Sequence, residues 1–369
     1  MRSKYLQVLK DDIARRGLRR ALGKASKFVG VLAGANLGRA LTGPISGVIL
    51  LTYRCNHRCR MCNFPERAVP DEEMSTEKIG KLIDGFAEIG TTGISFYGGE
   101  PLLRPDLPEL IAHARRRGML THLTTNGFLL DEARAKSLVG AGIDLVSISL
   151  DGADPETNDR QRGVEGAFSA AKRAVKNLIG ARAESGARPR VALTTTLTRD
   201  NLNQVEAMVE LGRTLKADSH TLLEVQPAAG LDNSFAPKDI LRLKNALRSI
   251  EKLKMRYPKY IDNSEGYLRL ARALLEGESV RFKCFAPYTD LFVDPRGRLY
   301  PCNWFLWMDQ PMGNLEQSSL REIWYSEEMR RIRAGLAMCG RCNHLCHREL
   351  SGIFNRFWLG EKPSIDCRF

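Results

Sequence analysis

Cys55-Asn-His-Arg-Cys59-Arg-Met-Cys62 is a short run in which three cysteines follow the spacing C-x₃-C-x₂-C, just after the apolar stretch Gly47 to Thr52. Three thiolates are an incomplete ligand set, because iron–sulfur cubes usually take four cysteines. A cube held by this triplet would leave one iron open to a ligand that is not protein. A structural zinc site is the alternative, and it would need a fourth ligand, for which His57 lies within the same loop.

The composition of the chain bounds its class. It has 369 residues, a formal net charge of +13 and nine cysteines. This length predicts one large α/β core and a smaller module. The cysteines fall into the triplet and a C-terminal set, and we see no signal peptide, which favours metal binding in a reducing cytoplasm over disulfides.

The positive charge is concentrated near the start of the chain. Residues 1–40 hold ten Lys or Arg against Asp11 and Asp12, with leucines at helical spacing among them. The apolar continuation Phe28 to Leu37 is about half the ~20 residues that a membrane span needs. Two interpretations stay open, a helix that packs on the body of the protein and a peripheral helix that docks on an anionic membrane surface. No nucleic-acid-binding motif accompanies the charge, so we expect no nucleic-acid partner.

From residue 47 onward, short apolar runs alternate with amphipathic helical patterns. The runs predict six strands, at Val48–Thr52, Gly93–Tyr97, Leu120–Thr125, Leu145–Leu150, Val191–Leu197 and Thr221–Gln226. Strands that alternate with helices predict a parallel sheet with right-handed crossovers, and six units fall short of the eight in a closed barrel. Ser75 is the predicted N-cap of the first of these helices.

Polar motifs follow four of the predicted strands. They are the cysteine triplet, Gly98-Gly99-Glu100-Pro101, Asn126-Gly127, and the pair Ser149 and Asp151. Because the carboxyl ends of parallel strands meet at one edge, we expect these motifs to converge on one face. Paired glycines permit close backbone approach, and a carboxylate pairs well with an ammonium group.

These motifs together resemble the radical S-adenosylmethionine (SAM) enzymes, over roughly residues 47–226. The resemblance implies a partial (β/α)₆ TIM-like barrel, with a [4Fe–4S] cluster on Cys55, Cys59 and Cys62. In that family the open iron binds the amino and carboxylate groups of SAM. An electron from the cluster cleaves SAM and releases a 5′-deoxyadenosyl radical, which takes a hydrogen atom from the substrate. Met61 departs from the family, which usually has an aromatic residue there.

The same resemblance implies a set of SAM-binding residues, namely Gly98, Gly99, Glu100, Pro101, Asn126, Ser149, Asp151 and Arg162. Gly98 to Pro101 resembles the GGEP motif that meets the SAM amino group. Ser149 and Asp151 look like ribose-side contacts, and Arg162 resembles the arginine that holds the SAM carboxylate. Asn126 would reach the substrate or the ribose, with a plain turn former as an equal alternative. No residue is assignable as a catalytic base.

After residue 226 the alternation ends and two helices are predicted, at Asp239–Tyr257 and near Tyr267–Leu275. Six cysteines follow, Cys284, Cys302, Cys339, Cys342, Cys346 and Cys367. With Gly297 five residues before Cys302, this tail resembles the SPASM and Twitch extensions, which bind auxiliary iron–sulfur clusters. Full SPASM has seven cysteines, and six cannot complete two four-cysteine clusters. We therefore expect one auxiliary [4Fe–4S] cluster, with a zinc ribbon as the alternative.

The predicted organisation has four segments. They are a basic N-terminal segment (1–46), a radical SAM core (47–230), a helical connection (231–283) and a SPASM/Twitch-like domain (284–369). The predicted function is oxidative modification of a peptide or small biosynthetic precursor, with an electron donor such as flavodoxin or ferredoxin as partner. The alternative is a non-catalytic iron–sulfur or zinc protein that docks on membrane or nucleic acid through its basic N-terminus. The sequence does not indicate the substrate.

Overall fold

The computed structural model describes residues 18–226, 228–231, 235–278 and 283–336, together with Ser351 and Phe354. In this part of the chain, nine strands form one sheet, in the order β6-β5-β4-β3-β2-β1-β7-β8-β9. The strands are β1 Ser46–Leu50, β2 Gly93–Tyr97, β3 Leu120–Thr125, β4 Leu145–Ser149, β5 Arg190–Leu197, β6 Ser219–Glu224, β7 Asp290–Val293, β8 Arg298–Tyr300 and β9 Gly313–Asn314.

Helices connect and cover the strands. They are α1 Leu18–Asn36, α2 Thr76–Glu88, α3 Leu107–Arg116, α4 Glu132–Gly140, α5 Pro155–Arg162, α6 Ala167–Ser185, α7 Val205–Thr214, α8 Pro237–Arg256, α9 Glu265–Leu275, α10 Ala286–Thr289, α11 Asn303–Trp307, α12 Leu320–Tyr325 and α13 Glu327–Leu336. Short 3₁₀ turns lie at Phe64–Arg67, Pro101–Leu103 and Leu202–Gln204.

The first six strands are all parallel to their neighbours, and a helix follows each of β1 to β5 before the next strand. This confirms the predicted α/β core of six strand–helix units. The first strand ends earlier than predicted, at Leu50 rather than Thr52. Leu51 still bonds across to Tyr97, but the Thr52 carbonyl accepts from the Gly99 amide at 2.7 Å, so the ladder gives way there to loop contacts.

The helices pack on the sheet through the predicted apolar stripes. In α2, Ile79, Ile83 and Phe86 are fully buried. Ser75 is the N-cap of this helix, as predicted, and its hydroxyl accepts a hydrogen bond from the Lys78 amide at 3.2 Å. A cap of this kind satisfies one of the amides that the first helical turn leaves open.

A seventh parallel strand comes from the cysteine-rich tail, which the sequence did not predict. β7 pairs with β1 in register from Ser46↔Asp290 to Ile49↔Val293, and β8 and β9 continue antiparallel. Just after β7, the fully buried carboxylate of Asp294 accepts hydrogen bonds from Tyr53 at 3.0 Å and Arg298 at 2.8 Å. The tail is therefore joined to the core both by the sheet and beside the cysteine loop.

The described part of α1 packs on the body of the protein. Val31 and Ala35 are buried in a cluster with Phe285 and Tyr288. The Lys27 ammonium donates to the Gly90 carbonyl at 2.6 Å, and burial lowers the pKa of Lys27 to about 8. Among the described residues, no helix has the length and apolar character needed to cross a bilayer.

Candidate functional site

A cavity of about 260 Å³ runs along the inner face of the sheet, and the strand-end motifs meet around it. It is lined by the predicted site residues Cys55, Cys59, Cys62, Gly98, Gly99, Asn126, Ser149 and Arg162. Three other predicted SAM contacts, Glu100, Pro101 and Asp151, are buried behind this lining. The strand-end motifs thus converge as the strand order predicts. Some of the predicted SAM contacts, however, lie behind the cavity wall rather than on its surface.

The three thiols of the cysteine loop face this cavity. Burial raises the pKa of Cys55 to about 11 and that of Cys62 to about 12, and it also raises the pKa of Cys59. Thiols in such surroundings stay protonated unless a cation or metal stabilises the thiolate. Within the described ranges, no three His, Cys, Asp or Glu side chains lie close enough together to hold a metal ion.

Neighbouring donors point at the sulfurs, which fits a thiolate-bound cluster. The Asn126 amide lies 3.9 Å from the Cys55 sulfur, and the Arg162 guanidinium lies 3.8 Å from the Cys59 sulfur. Hydrogen bonds to sulfur are one means by which a protein tunes an iron–sulfur cluster. The donor set therefore fits an iron–sulfur cube better than a neutral packing site.

His57 is buried within the cysteine loop and lines the same cavity as the cysteines. Its ring is buried, packs edge-on to Phe128 at 5.5 Å between centroids, and has no protein hydrogen bond on either nitrogen. Burial lowers the pKa of His57 to about 4. The ring therefore packs under the loop as a neutral imidazole.

Two glycines bring the end of β2 against the cysteine loop. A Cβ on Gly99 would lie 2.1 Å from the Arg54 carbonyl, and Gly98 has φ +140°, which disfavours any side chain. The Glu100 amide donates to the Arg54 carbonyl at 2.9 Å. This contact requires glycine, because no side chain fits between the two backbones.

Glu100 ties together the ends of β2 and β3. Its fully buried carboxylate accepts from the Thr125 hydroxyl at 2.7 Å, the Asn126 amide at 2.8 Å and the Leu102 amide at 3.0 Å. Burial raises the pKa of Glu100, and these three donors oppose the rise. The Glu100 side chain thus fixes the backbone position of Asn126. The side-chain amide of Asn126 donates in turn to the Asn56 side-chain oxygen at 2.8 Å.

Arg162 and Asp151 form a buried ion pair beside the cluster loop. Their side chains meet at 2.7 Å, and Asp151 also accepts from the Thr196 amide at 2.7 Å. Burial raises the pKa of Asp151, and the guanidinium opposes that effect. Asp151 therefore holds Arg162 in place, while Arg162 and Ser149 face the cavity.

The helix that ends at Arg162 was not predicted. α5 docks on the cysteine loop through backbone bonds, Arg58 amide to Arg162 carbonyl at 3.3 Å and Arg60 amide to Gln161 carbonyl at 3.0 Å. Its start signal was present in the sequence, since Asp154 caps the helix and Pro155 occupies the first turn. Aspartate before proline is a typical helix start.

The wall of the cavity is unusually polar. The inward residues of β2 to β6 include Ser95, His122, Thr124, Ser147, Thr194 and Thr221. The His122 ring lies between the hydroxyls of Ser95 at 3.3 Å and Ser147 at 2.9 Å. Barrels of this general type usually fill such layers with Val, Ile and Leu. We call this space the lumen, and sequence reasoning missed it although the alternation of polar residues along each strand was visible.

The tail contributes to the lumen from the other side. Cys302 is buried at the start of α11, and two residues of that helix, Asn303 and Trp307, line the cavity. Cys284 is half-buried just before α10. The other predicted auxiliary ligands, Cys339, Cys342, Cys346 and Cys367, lie outside the described residues.

Comparison with known proteins places this geometry in context. Residues 49–216 match the family model described as the radical SAM superfamily, and residues 284–346 match an iron–sulfur cluster-binding domain, SPASM. A PqqA peptide cyclase of Granulibacter bethesdensis is 31% identical over 288 residues, which cover 76% of this chain and 72% of that protein. A Fe-coproporphyrin III synthase of Methanosarcina barkeri is 42% identical over 162 residues, but these cover only 44% of this chain and 39% of that protein.

Solved structures share the fold. Streptococcus suis SuiB, crystallised with S-adenosylmethionine, superposes with a TM-score of 0.66 at 20% sequence identity. The match covers 95% of this chain and 81% of that chain. This extends the likeness from the barrel into the tail.

Proposed function

The chain belongs to the radical SAM superfamily and carries a SPASM domain, and from this premise we propose that it oxidises a residue of a peptide substrate held in the lumen. It is an enzyme that uses SAM, a [4Fe–4S] cluster and auxiliary iron–sulfur chemistry. Family membership therefore favours catalysis over the alternative of a non-catalytic docking protein. The peptide substrate is suggested by the cyclase relative, which aligns over most of both chains.

One observation supports oxidation in particular. A single cavity is lined by Cys55, Cys59 and Cys62 and also by Asn303, the neighbour of Cys302. A substrate in the lumen would therefore lie between the first cluster and the segment that carries Cys302. When bound, the first cluster supplies the electron that cleaves SAM to the 5′-deoxyadenosyl radical, and an auxiliary cluster offers an acceptor for the electron that an oxidised substrate gives up.

Some residues of the site would contact SAM directly, and others hold those residues in position. Arg162 would bind the SAM carboxylate, the Gly98–Gly99 backbone its amino group, and Ser149 the ribose side, since all of these line the cavity. Asp151 and Glu100 act as positioning residues, because their carboxylates are committed to Arg162 and to the end of β3. Asn126 faces both the Cys55 sulfur and the cavity, so it can contact SAM or substrate.

A tetrapyrrole substrate is the second candidate, because of the Fe-coproporphyrin III synthase relative and of an AdoMet-dependent heme synthase of Methanosarcina barkeri, which is 29% identical and aligns over 79% of this chain and 85% of that protein. The cavity of about 260 Å³ is below the ~300–1,000 Å³ of typical small-molecule sites. SAM together with any substrate would require the lumen to open, and a rigid macrocycle would require a wider opening than one peptide side chain. The peptide proposal asks for less change.

The test is anaerobic turnover with reductant, SAM and candidate substrates, following 5′-deoxyadenosine and substrate mass together. We expect a precursor peptide to lose mass in whole hydrogens in step with 5′-deoxyadenosine. Conversion of a coproporphyrin with no change in any peptide would replace the proposal by the second candidate.

We predict that the first cluster and one auxiliary cluster give about eight irons per chain, two cubes of four. A variant with Cys55, Cys59 and Cys62 all changed to alanine should retain about four irons, because it leaves the tail intact. Metal analysis of the reconstituted protein measures this. A value near eight would mean two tail clusters, and zinc in place of iron would make the tail a structural ribbon.

The proposal includes a one-electron donor such as flavodoxin or ferredoxin, since the cluster must be reduced before each cleavage. We also propose that the N-terminal segment docks on an anionic membrane surface. Val29, Leu37 and Leu41 remain exposed, although α1 packs on the body of the protein. Exposed apolar residues beside basic ones are what interfacial helices combine.

We expect the full-length protein to co-sediment with vesicles containing anionic phosphatidylserine, more weakly as salt rises, because each basic residue near the surface contributes ~1 kcal/mol. A variant in which Val29, Leu37 and Leu41 are changed to serine should release the protein. The matched control changes the exposed apolar residues Leu241 and Met255 of α8 to serine. Equal binding by both variants would leave α1 as a packing helix alone.

A further inference from the structure

Asp290, the first residue of β7, is a carboxylate at the floor of the lumen. It is 4% exposed, lines the cavity, and accepts a hydrogen bond from the Thr289 hydroxyl at 2.7 Å. Among the described residues, no charged group pairs with it, although an uncompensated buried charge is costly. Burial raises the pKa of Asp290 to about 7. Such groups in clefts are often kept for a ligand rather than for stability.

Two apolar side chains lie next to this carboxylate on the inward face, on the side nearer the strand ends. Successive residues on one face of a strand are two apart, so Phe292 on β7 and Val48 on β1 share the inward face with Asp290 and Ser46. They lie ~6–7 Å nearer the strand ends, at ~3.3 Å per residue. A ligand that reaches Asp290 therefore passes its stem between hydrocarbon and aromatic surfaces.

The depth of Asp290 also restricts the ligand. It pairs with Ser46, four residues before the end of β1 at Leu50, which places it ~13 Å below the strand ends. The cysteines, Gly99 and Arg162 lie at or beyond those ends. A ligand group that contacts Asp290 must therefore lie at the far end of a long, narrow substituent. The carbons at the other end of that substituent then face the SAM site.

We propose that this floor is a subsite for the ammonium end of an aminoalkyl side chain, such as that of lysine, in the peptide substrate. Asp290 pairs with the ammonium, and Val48 and Phe292 contact the methylenes, which places the carbons nearer the backbone toward the cysteine loop. The inference rests on the proposed function, because it assumes that the substrate enters the lumen as a peptide side chain.

The test is equilibrium binding to the full-length, anaerobically reconstituted protein, with two probes of matched shape. N-acetyl-lysine N-methylamide carries the ammonium, and N-acetyl-norleucine N-methylamide lacks it. We expect the wild-type protein to bind the lysine probe at least about tenfold more tightly, as for a charge-assisted hydrogen bond in a buried site. Asp290→Asn, which keeps an acceptor for Thr289, should bind both probes alike.

Asp84→Asn is the matched control, since it removes a carboxylate on the outer surface that pairs with His113 and Arg117. It should keep the preference for the lysine probe. Equal binding of the probes by the wild-type protein, or a preference that survives in Asp290→Asn, overturns the inference.

A second variant guards against misfolding of Asp290→Asn. Val48→Lys places a tethered ammonium one step above Asp290 and should block the lysine probe, and undiminished binding there also overturns the subsite. Release of 5′-deoxyadenosine by the wild-type protein is measured in parallel. If SAM is cleaved and the probes bind alike, only the subsite fails, whereas absence of cleavage removes the proposed function itself.

Discussion

The Cys59→Ala protein, reconstituted anaerobically, is expected to release no 5′-deoxyadenosine above background when given SAM and reductant. Removing one thiolate from a three-thiolate site leaves too few ligands to hold the cube. The tail cysteines are untouched, so the auxiliary iron should stay. Product analysis by chromatography, with iron quantified in the same sample, measures both.

Arg60→Ala is the matched control for this variant. Arg60 lies in the same loop, but its side chain is 60% exposed and, among the residues that the structure describes, pairs with the surface residue Asp200. It should cleave SAM as the wild-type protein does. Undiminished cleavage by Cys59→Ala would remove Cys59 from the cluster site.

Arg162→Met is expected to lower the free energy of unfolding by ~3–5 kcal/mol, because it strands the buried Asp151 without its partner. It should also abolish measurable SAM binding, since Arg162 faces the cavity. Denaturant unfolding and equilibrium dialysis with SAM follow the two effects separately.

The double variant Asp151→Asn, Arg162→Met separates the effect of the ion pair on stability from the contact of Arg162 with SAM. With both charges gone, most of the lost stability should return, because no unpaired charge stays buried. SAM binding should remain lost. If the double variant bound SAM like the wild type, Arg162 would be a purely structural residue.

The strand–helix core was predictable from the sequence because its signals are local. Apolar runs bounded by Gly and Asn marked β2 and β3, and Ser75 marked the start of α2. The common location of the SAM-site loops could be predicted from the topology, because parallel strands end at one edge of the sheet. The cysteine loop and Gly99 therefore meet where expected.

What the sequence did not show depends on pairing between distant segments. Asp290 to Val293 has the composition of any short strand, and nothing in it indicates β1 as its neighbour. Without that pairing, Asp290 is one more acid in a cysteine-rich tail rather than the floor of the lumen. Glu100 and Asp151 were likewise found as motif members, but their hydrogen bonds make them supports rather than cavity walls.

The pairing of β7 with β1 also bears on how the enzyme is made. A chain emerging from the ribosome folds its earlier segments first. The cysteine loop and all six core strands are therefore synthesised while the edge of β1 is still uncovered, and β7 can be added only after residue 293 has been synthesised. During that interval the thiols of the first cluster are reachable from the side that the tail later closes.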